Sequence, residues 1–227
     1  MKLNRGFLVL WGMLAIFFFL FVSPNGYAHE EEITTDTTVQ FTRIEIAVRY
    51  LVLGFEHILP KGLDHILFVL GLFLLSTNLK PLIWQITMFT IAHSITLALA
   101  IYGIVSLSPS IVEPLIALSI AFIAVENIFT TDLKPWRPVI VFGFGLLHGL
   151  GFAGVLTELG LPRSEFVTAL ISFNIGVELG QLSVIGIAFL VVGLFFRREW
   201  YRKRIVIPAS VMIALTGIYW TVERVFF

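Results

Sequence analysis

The chain has 227 residues, 58% of them hydrophobic and only 13% charged, with a mean hydropathy of +0.95; an average soluble domain carries about twice that charge, so an ordinary soluble fold is excluded. Lys+Arg 15 against Asp+Glu 15 gives no basic excess for nucleic acid. There is no cysteine, which removes disulfides, thiolate metal sites and thiol nucleophiles together and leaves imidazole, carboxylate and amide as metal ligands.

Lys2 and Arg5 precede an apolar run from Phe7 to Val22, and a Ser23-Pro24-Asn25 breaker leads to small residues at Gly26 and Ala28, the two positions a signal peptidase inspects. The pattern predicts a cleaved signal peptide over 1–28, the alternative being an uncleaved anchor helix. An acidic tail over 29–40 then lies outside the membrane in either case. Cleavage after Ala28 would expose His29, whose amine and ring could both meet a metal, although a solvated acidic tail is the simpler reading.

Residues 41–227 read as one all-α integral membrane domain. Phe41 to Leu59 carries Arg43, Glu45, Arg49, Glu56 and His57, too many charges for a lipid-facing span. Ile44, Ala47, Val48, Leu51 and Phe55 recur at helical spacing, so the segment is expected to be an amphipathic outer-face helix, lying at the interface or packed on the bundle. Apolar segments follow at about Leu63 to Ser76, Leu82 to Leu107, Ile111 to Phe129, Val139 to Leu156, Phe166 to Phe196 and Ile205 to Phe226. Each approaches the roughly 20 residues a helix needs to cross, which predicts a six-span bundle. Arg197, Arg198, Arg202, Lys203 and Arg204 crowd one loop, which the positive-inside rule assigns to the cytoplasm. Counting crossings back from it puts both mature termini outside the inner (cytoplasmic) membrane, with Lys61 and Arg163 as weak exceptions to the rule.

Ionisable and amide side chains inside such segments are costly and point to function. His57, Asp64 and His65, in HILPKGLDH, are expected near the outer surface; His93 with Ser94, in FTIAHSITLALA, His148 and Asn174 roughly midway; Glu126, Asn127, Glu178 and Gln181 in the inner half. This ordering predicts a ladder of polar groups across the bilayer. Asn174, Glu178 and Gln181 stand at i, i+4 and i+7 on one helix face, with Gly176 and Gly180 leaving room for a close neighbour. Glycines at 143, 145, 149, 151 and 154 surround His148 and allow either tight helix approach or a broken helix. GLDHILF and GLLHGLG form a faint internal echo of the kind an inverted repeat leaves. Blander roles stand beside these. A single membrane histidine often just hydrogen-bonds a neighbouring helix, Glu126 and Asn127 could finish a helix end, and Ser94 could bond a backbone carbonyl.

Neutral imidazole suits nickel, cobalt, copper and zinc, with carboxylates completing the shell. Partial sites that strip water yet release the ion would pass it inward, and protons would compete for the rings below about pH 6.5. The metal ligands expected are His57, Asp64, His65, His93, His148 and Glu178, with Ser94, Glu126, Asn127, Asn174 and Gln181 along the path or behind the ligands.

At HILPKGLDHILFVLGLFLL, FTIAHSITLALA, LIALSIAFIAVEN, GLLHGLGFAGVL and FNIGVELGQL the sequence resembles the HupE/UreJ family, hydrogenase- and urease-accessory membrane proteins regarded as nickel or cobalt permeases. The likeness runs from about Gly54 to Ser183. FTIAHSITL and Asp64-His65 also look like the histidine-serine and aspartate-histidine motifs of the larger nickel/cobalt transporter family, but six residues separate His57 from Asp64 where that family has four. The resemblance implies a signal peptide, six spans and uptake of a divalent metal.

The expected function is therefore a membrane permease or facilitator for nickel or cobalt, with zinc a further candidate, and not an enzyme. Its partners are the lipid bilayer and the transition-metal ion, which is cargo; no permanent cofactor and no nucleic acid are expected, and a homo-oligomer stays open. No glycine-lysine nucleotide loop is present. The alternatives are an intramembrane metal hydrolase, with histidines and an aspartate holding zinc near Ser94, and a proton-coupled carrier of another small solute. A hydrolase requires its ligands gathered at one point with an open position, whereas a ladder spreads them along the membrane normal.

Overall fold

The computed structural model describes residues 41–76, 78–158 and 165–227, the side chains of 153–158 excepted. The signal peptide, the acidic tail, His29 and Arg163 lie outside the described residues. Those described form α-helices and no strand: α1 Arg43–Ile58, α2 Leu63–Leu75, α3 Leu79–Ile101, α4 Pro109–Phe129, α5 Arg137–Glu158, α6 Phe166–Val192 and α7 Ile207–Phe226. A 3-10 turn, Gly193–Phe195, and a π-helical turn, Arg202–Val206, flank the basic loop.

Local chemistry explains the boundaries. Thr42 and Glu45 form a reciprocal cap at the start of α1, the Thr42 hydroxyl accepting from the Glu45 amide and the Glu45 carboxylate accepting from the Thr42 amide. Pro109, at the first position of α4, lacks only an amide that would have had no helical partner there. The helix expected to run to Leu107 stops at Ile101, because the chain turns through Gly103 at φ 68°, a conformation that favours glycine.

Where six spans are expected, the described residues show four or five. Among these residues, four helical stretches are long and apolar enough to cross a membrane: Leu79–Ile101, Pro109–Phe129, Phe166–Phe195 and Arg202–Phe226. A fifth is obtained when α1 and α2, bent by 69° at their junction, count as one broken span or re-entrant loop; α5 runs from Arg137 to Glu158, with its side chains described as far as Phe152. The sequence count and the structure differ at the first crossing. There the apolar residues are divided between two helices by the Pro60-Lys61-Gly62 turn, and the charged segment before the turn belongs to the same unit.

Three helix pairs carry most of the packing: α3 with α5, α1 with α6, and α4 with α7. Glycine makes the first two close. A Cβ at Gly149 would collide with the His93 carbonyl and the Thr96 hydroxyl, and one at Gly54 would collide with the Phe173 carbonyl, so these backbones touch where a larger residue would hold them apart. α1 thus packs along α6 rather than lying free at an interface. Its buried face is Ile46, Tyr50, Gly54 and Ile58, while Ile44 and Val48 of the expected apolar stripe are exposed. In a bundle surrounded by lipid, the small-residue face goes inward and large aliphatics can face out.

One end of the bundle is tied by Arg43 to Glu165 at 3.0 Å, by Tyr102 against Phe166, and by Arg224, which reaches both Asp64 and the Glu113 carbonyl. The opposite end holds the Arg202 bond to the Ile128 carbonyl and the contact of Phe73 with Phe196.

Candidate metal centre

Four histidines from four helices meet inside the bundle. The turn after α1 folds tightly enough for the Gly62 amide to donate to the Ile58 carbonyl at 3.1 Å, and a Cβ at Gly62 would strike the His57 carbonyl. This reversal brings His57 against His65, with ring centroids 4.6 Å apart. His93 on α3 lies 6.0 Å from His57 and 5.9 Å from His65, and His148 on α5 lies 5.0 Å from His65. The expected separation of outer and middle histidines is therefore corrected: His57 and His65 share one site with His93 and His148 rather than standing above them. Depth counted along straight helices failed because the broken first unit carries His57 and His65 to their partners.

His57, His65 and His93 each offer a ring nitrogen such that all three lie within 4.8 Å of one another. Metal–imidazole bonds of about 2.1 Å set tetrahedral ligand nitrogens about 3.4 Å apart, so small side-chain movements would close the group on an ion. His148 adjoins through His65. His65, His93 and His148 are 6%, 0% and 1% exposed, and Nε2 of all four rings is buried without a hydrogen-bond partner. Each such atom costs about 1–3 kcal/mol if nothing fills it.

Two of the rings are held in the ligating form. The Asn174 amide nitrogen donates to the Leu170 carbonyl at 2.8 Å, which turns its Oδ1 toward His93 Nδ1 at 3.3 Å. That oxygen accepts only if Nδ1 carries the proton, which leaves the Nε2 lone pair for a metal. His148 Nδ1 likewise donates to the Phe144 carbonyl at 2.8 Å. Around the rings stand Phe68, Phe89, Phe152 and Phe173, an apolar wall that keeps water from competing.

The two carboxylates expected as ligands are engaged elsewhere. Asp64 is one residue from His65, and the helical turn of about 100° per residue points it away. It accepts from Arg224 through both oxygens, at 3.1 and 3.0 Å. Glu178 accepts from the Thr87 hydroxyl at 2.8 Å. Neither joins the group of three.

The expected face of α6 meets α3 as an antiparallel lane, with Asn174 on His93, Gln181 on the Thr90 hydroxyl at 3.0 Å, and Glu178 on Thr87. Thr90, Ser94, Asn174 and Glu178 line a cavity of about 230 Å³. The Ser94 hydroxyl donates to the Thr90 carbonyl at 2.7 Å, the blander of its two expected roles. Glu126 and Asn127 take no part in the histidine site. Glu126 faces Arg137 at 3.4 Å, and Asn127 bridges the Gly71 carbonyl and Arg137. Gly176 and Gly180 abut α1, and α5 is unbroken around His148.

Arg224, Thr87 and Thr90 were not among the residues expected from sequence. Thr87, Thr90 and Ser94 at i, i+3 and i+7 form a polar stripe approaching His93 that could have been read; Arg224 is a lone cation ending an apolar helix, whose partner only the fold reveals.

A protein-family model described as HupE / UreJ protein matches residues 32–224. None of the curated proteins and none of the solved structures compared with the chain matches it.

Proposed function

The chain belongs to the HupE/UreJ family, and from that premise we propose that it is a permease or facilitator for a divalent transition metal, nickel or cobalt before zinc. The observation that carries this reading is the convergence of three histidines, two of them buried, whose Nε2 atoms have no hydrogen-bond partner among the described residues. Three neutral nitrogen ligands favour late first-row ions over magnesium or calcium. They leave room for one or more further ligands, which a site that must release its ion needs.

By the positive-inside rule the basic loop at Arg197 to Arg204 supports a cytoplasmic position for its end of the bundle, and the end carrying Glu165 and Arg224 then faces outside the inner membrane. An ion arriving there meets Asp64 and Arg224 before the histidines. His57, His65 and His93 strip its water and hold it, and Asn174 and the Phe144 carbonyl keep the rings of His93 and His148 in the receiving form.

Gathered ligands also favour a second reading, the intramembrane hydrolase. Such an enzyme needs a general base beside the metal-bound water. Among the described residues no carboxylate joins the histidine group, Asp64 being paired with Arg224, and the Ser94 hydroxyl is committed to a backbone carbonyl. Transport is therefore preferred.

Proteoliposomes holding the full chain are expected to accumulate radioactive nickel or cobalt, and His65→Ala to abolish uptake while the protein still inserts. Uptake by folded wild-type protein no greater than that of empty vesicles would end the proposal, and a zinc-dependent hydrolytic activity in the same preparation would replace it.

A further inference from the structure

The lane between α3 and α6 has a feature that the histidine site does not use. Thr90, Ser94, Asn174 and Glu178 share with Leu170, Ile171 and Ile175 the lining of an open pocket of about 230 Å³, large enough for an ion with several waters, and the four polar side chains bring oxygen to it. Glu178 is partly buried on a helix that otherwise reads as an apolar span. A carboxylate held at that position in an apolar span is expensive. Its Oε1 accepts from the Thr87 hydroxyl, and among the described residues its Oε2 takes no hydrogen bond. Among the described residues no cation pairs with it, whereas Asp64 and Glu126 each have an arginine. An anion so placed, one oxygen oriented by Thr87 and the other without a hydrogen bond, is suited to receive a positive charge.

His93 is the wall between this cavity and the histidine group. Its Nε2 belongs to the group and its Nδ1 rests on Asn174, which lines the cavity. Four residues, about 6 Å of helix, separate Asn174 from Glu178.

We propose that Glu178, with Thr87 and Asn174, forms a second cation station, an oxygen-donor site that takes a partly hydrated divalent ion next to the histidine station. This rests on the transport reading above and adds the step after capture. Imidazole holds late transition metals more firmly than carboxylate and amide oxygen do, so an ion passed from nitrogen to oxygen ligands regains water and is easier to release. Its charge, uncompensated among three neutral rings, is met by Glu178. The passage requires the His93 ring to turn, which breaks its bond to Asn174.

The two stations prefer different probes. Purified full-length protein in micelles, titrated with Mn²⁺ alone, reports the oxygen site through loss of the free-ion paramagnetic resonance signal; titrated with Co²⁺ alone, it reports the histidines through the visible absorption of imidazole-bound cobalt. Glu178→Gln is expected to weaken Mn²⁺ binding by about tenfold or more while the cobalt band titrates as in wild type, and His57→Ala to do the reverse. Unchanged Mn²⁺ binding in Glu178→Gln, or its loss in His57→Ala, overturns the second station. If Glu178→Gln loses both signals, Thr87→Val decides: weaker Mn²⁺ binding with an intact cobalt band supports the station, and unchanged Mn²⁺ binding overturns it. A wild-type protein without any cobalt band would overturn the histidine reading instead, so the two failures are distinct.

Discussion

The bundle buries two polar clusters that differ in what completes them. Near one end Arg137, wholly buried, faces Glu126 at 3.4 Å, and Asn127 joins Arg137 to the Gly71 carbonyl; opposite charges meet there, although both Glu126 oxygens and Arg137 Nε and Nη1 make no hydrogen bond among the described residues. In the other cluster four imidazoles converge, and all four Nε2 atoms lack a donor or acceptor. The first carries its own counter-charge, whereas the second gathers neutral rings with no counterpart among the described residues. Burial alone therefore does not mark a functional site in a membrane bundle. What distinguishes the histidine cluster is the kind of atom left over: neutral rings without a counter-charge, three of which offer nitrogens within 4.8 Å of one another.

Breaking each cluster should separate stability from function. Arg137→Met leaves Glu126 beside no cation in a low-dielectric interior, and removing one partner of a buried pair costs about 3–5 kcal/mol. A large fall in unfolding temperature in detergent is expected, partly restored when Glu126→Leu is added. A stable single variant would mean that the pair is not the knot described. His65→Ala should show the opposite pattern, since it deletes a buried polar atom with no partner: unfolding temperature is maintained while metal uptake is lost.

Next in size is the support behind the site. Asn174→Ala removes the acceptor that fixes the His93 proton on Nδ1 but leaves all the rings. Losing a group that orients a ligand typically costs about 10–100-fold in metal affinity. A cobalt titration of the folded variant should show a shift in that range, and no shift would mean that His93 finds its ligating form without Asn174.

Asp64 provides a sharper contrast. The family resemblance makes Asp64-His65 a ligand pair, yet the structure gives the histidine to the metal group and the aspartate to Arg224, with both charged side chains about a quarter exposed. Asp64→Asn is expected to leave equilibrium cobalt absorption intact and to slow uptake, because the charge it removes lies at the end through which the ion arrives. Loss of the cobalt band in that variant would return Asp64 to the first shell of ligands.

The membrane class, the helical elements and every histidine of the site were legible in the sequence, because composition, apolar runs and rare imidazoles are local signals. The gathering was not. His57 and His65 reach His93 only through the reversal at Gly62, and a straight-helix count of depth has no means of including a bend of 69°. Partnering was equally hidden: nothing in a linear pattern tells Asp64 that Arg224, 160 residues away, will claim it. The shared face of Asn174, Glu178 and Gln181 was readable from spacing, whereas its hydroxyl partners Thr87 and Thr90 needed the packing of α3 on α6.

The smallest expected effect lies at the surface, where Glu165 joins α1 to α6 through Arg43. The Thr168 hydroxyl, and then Arg43, hold its carboxyl below the ordinary value of 4.5. A lowered folded value means that the unfolded chain takes up the proton first as pH falls. The contribution to stability is therefore complete above the unfolded value and is lost as pH drops through the folded one. The gap in unfolding temperature between wild type and Glu165→Gln should be constant from neutral pH to about 5 and close below about 4. Because Arg43 is largely exposed, added salt should shrink the gap at neutral pH as well. The buried histidine group, walled by phenylalanine, should show much weaker salt dependence in its cobalt affinity. A gap that ignores both pH and salt would mean that Thr168 and Arg43 hold the residue 165 side chain equally well without its charge.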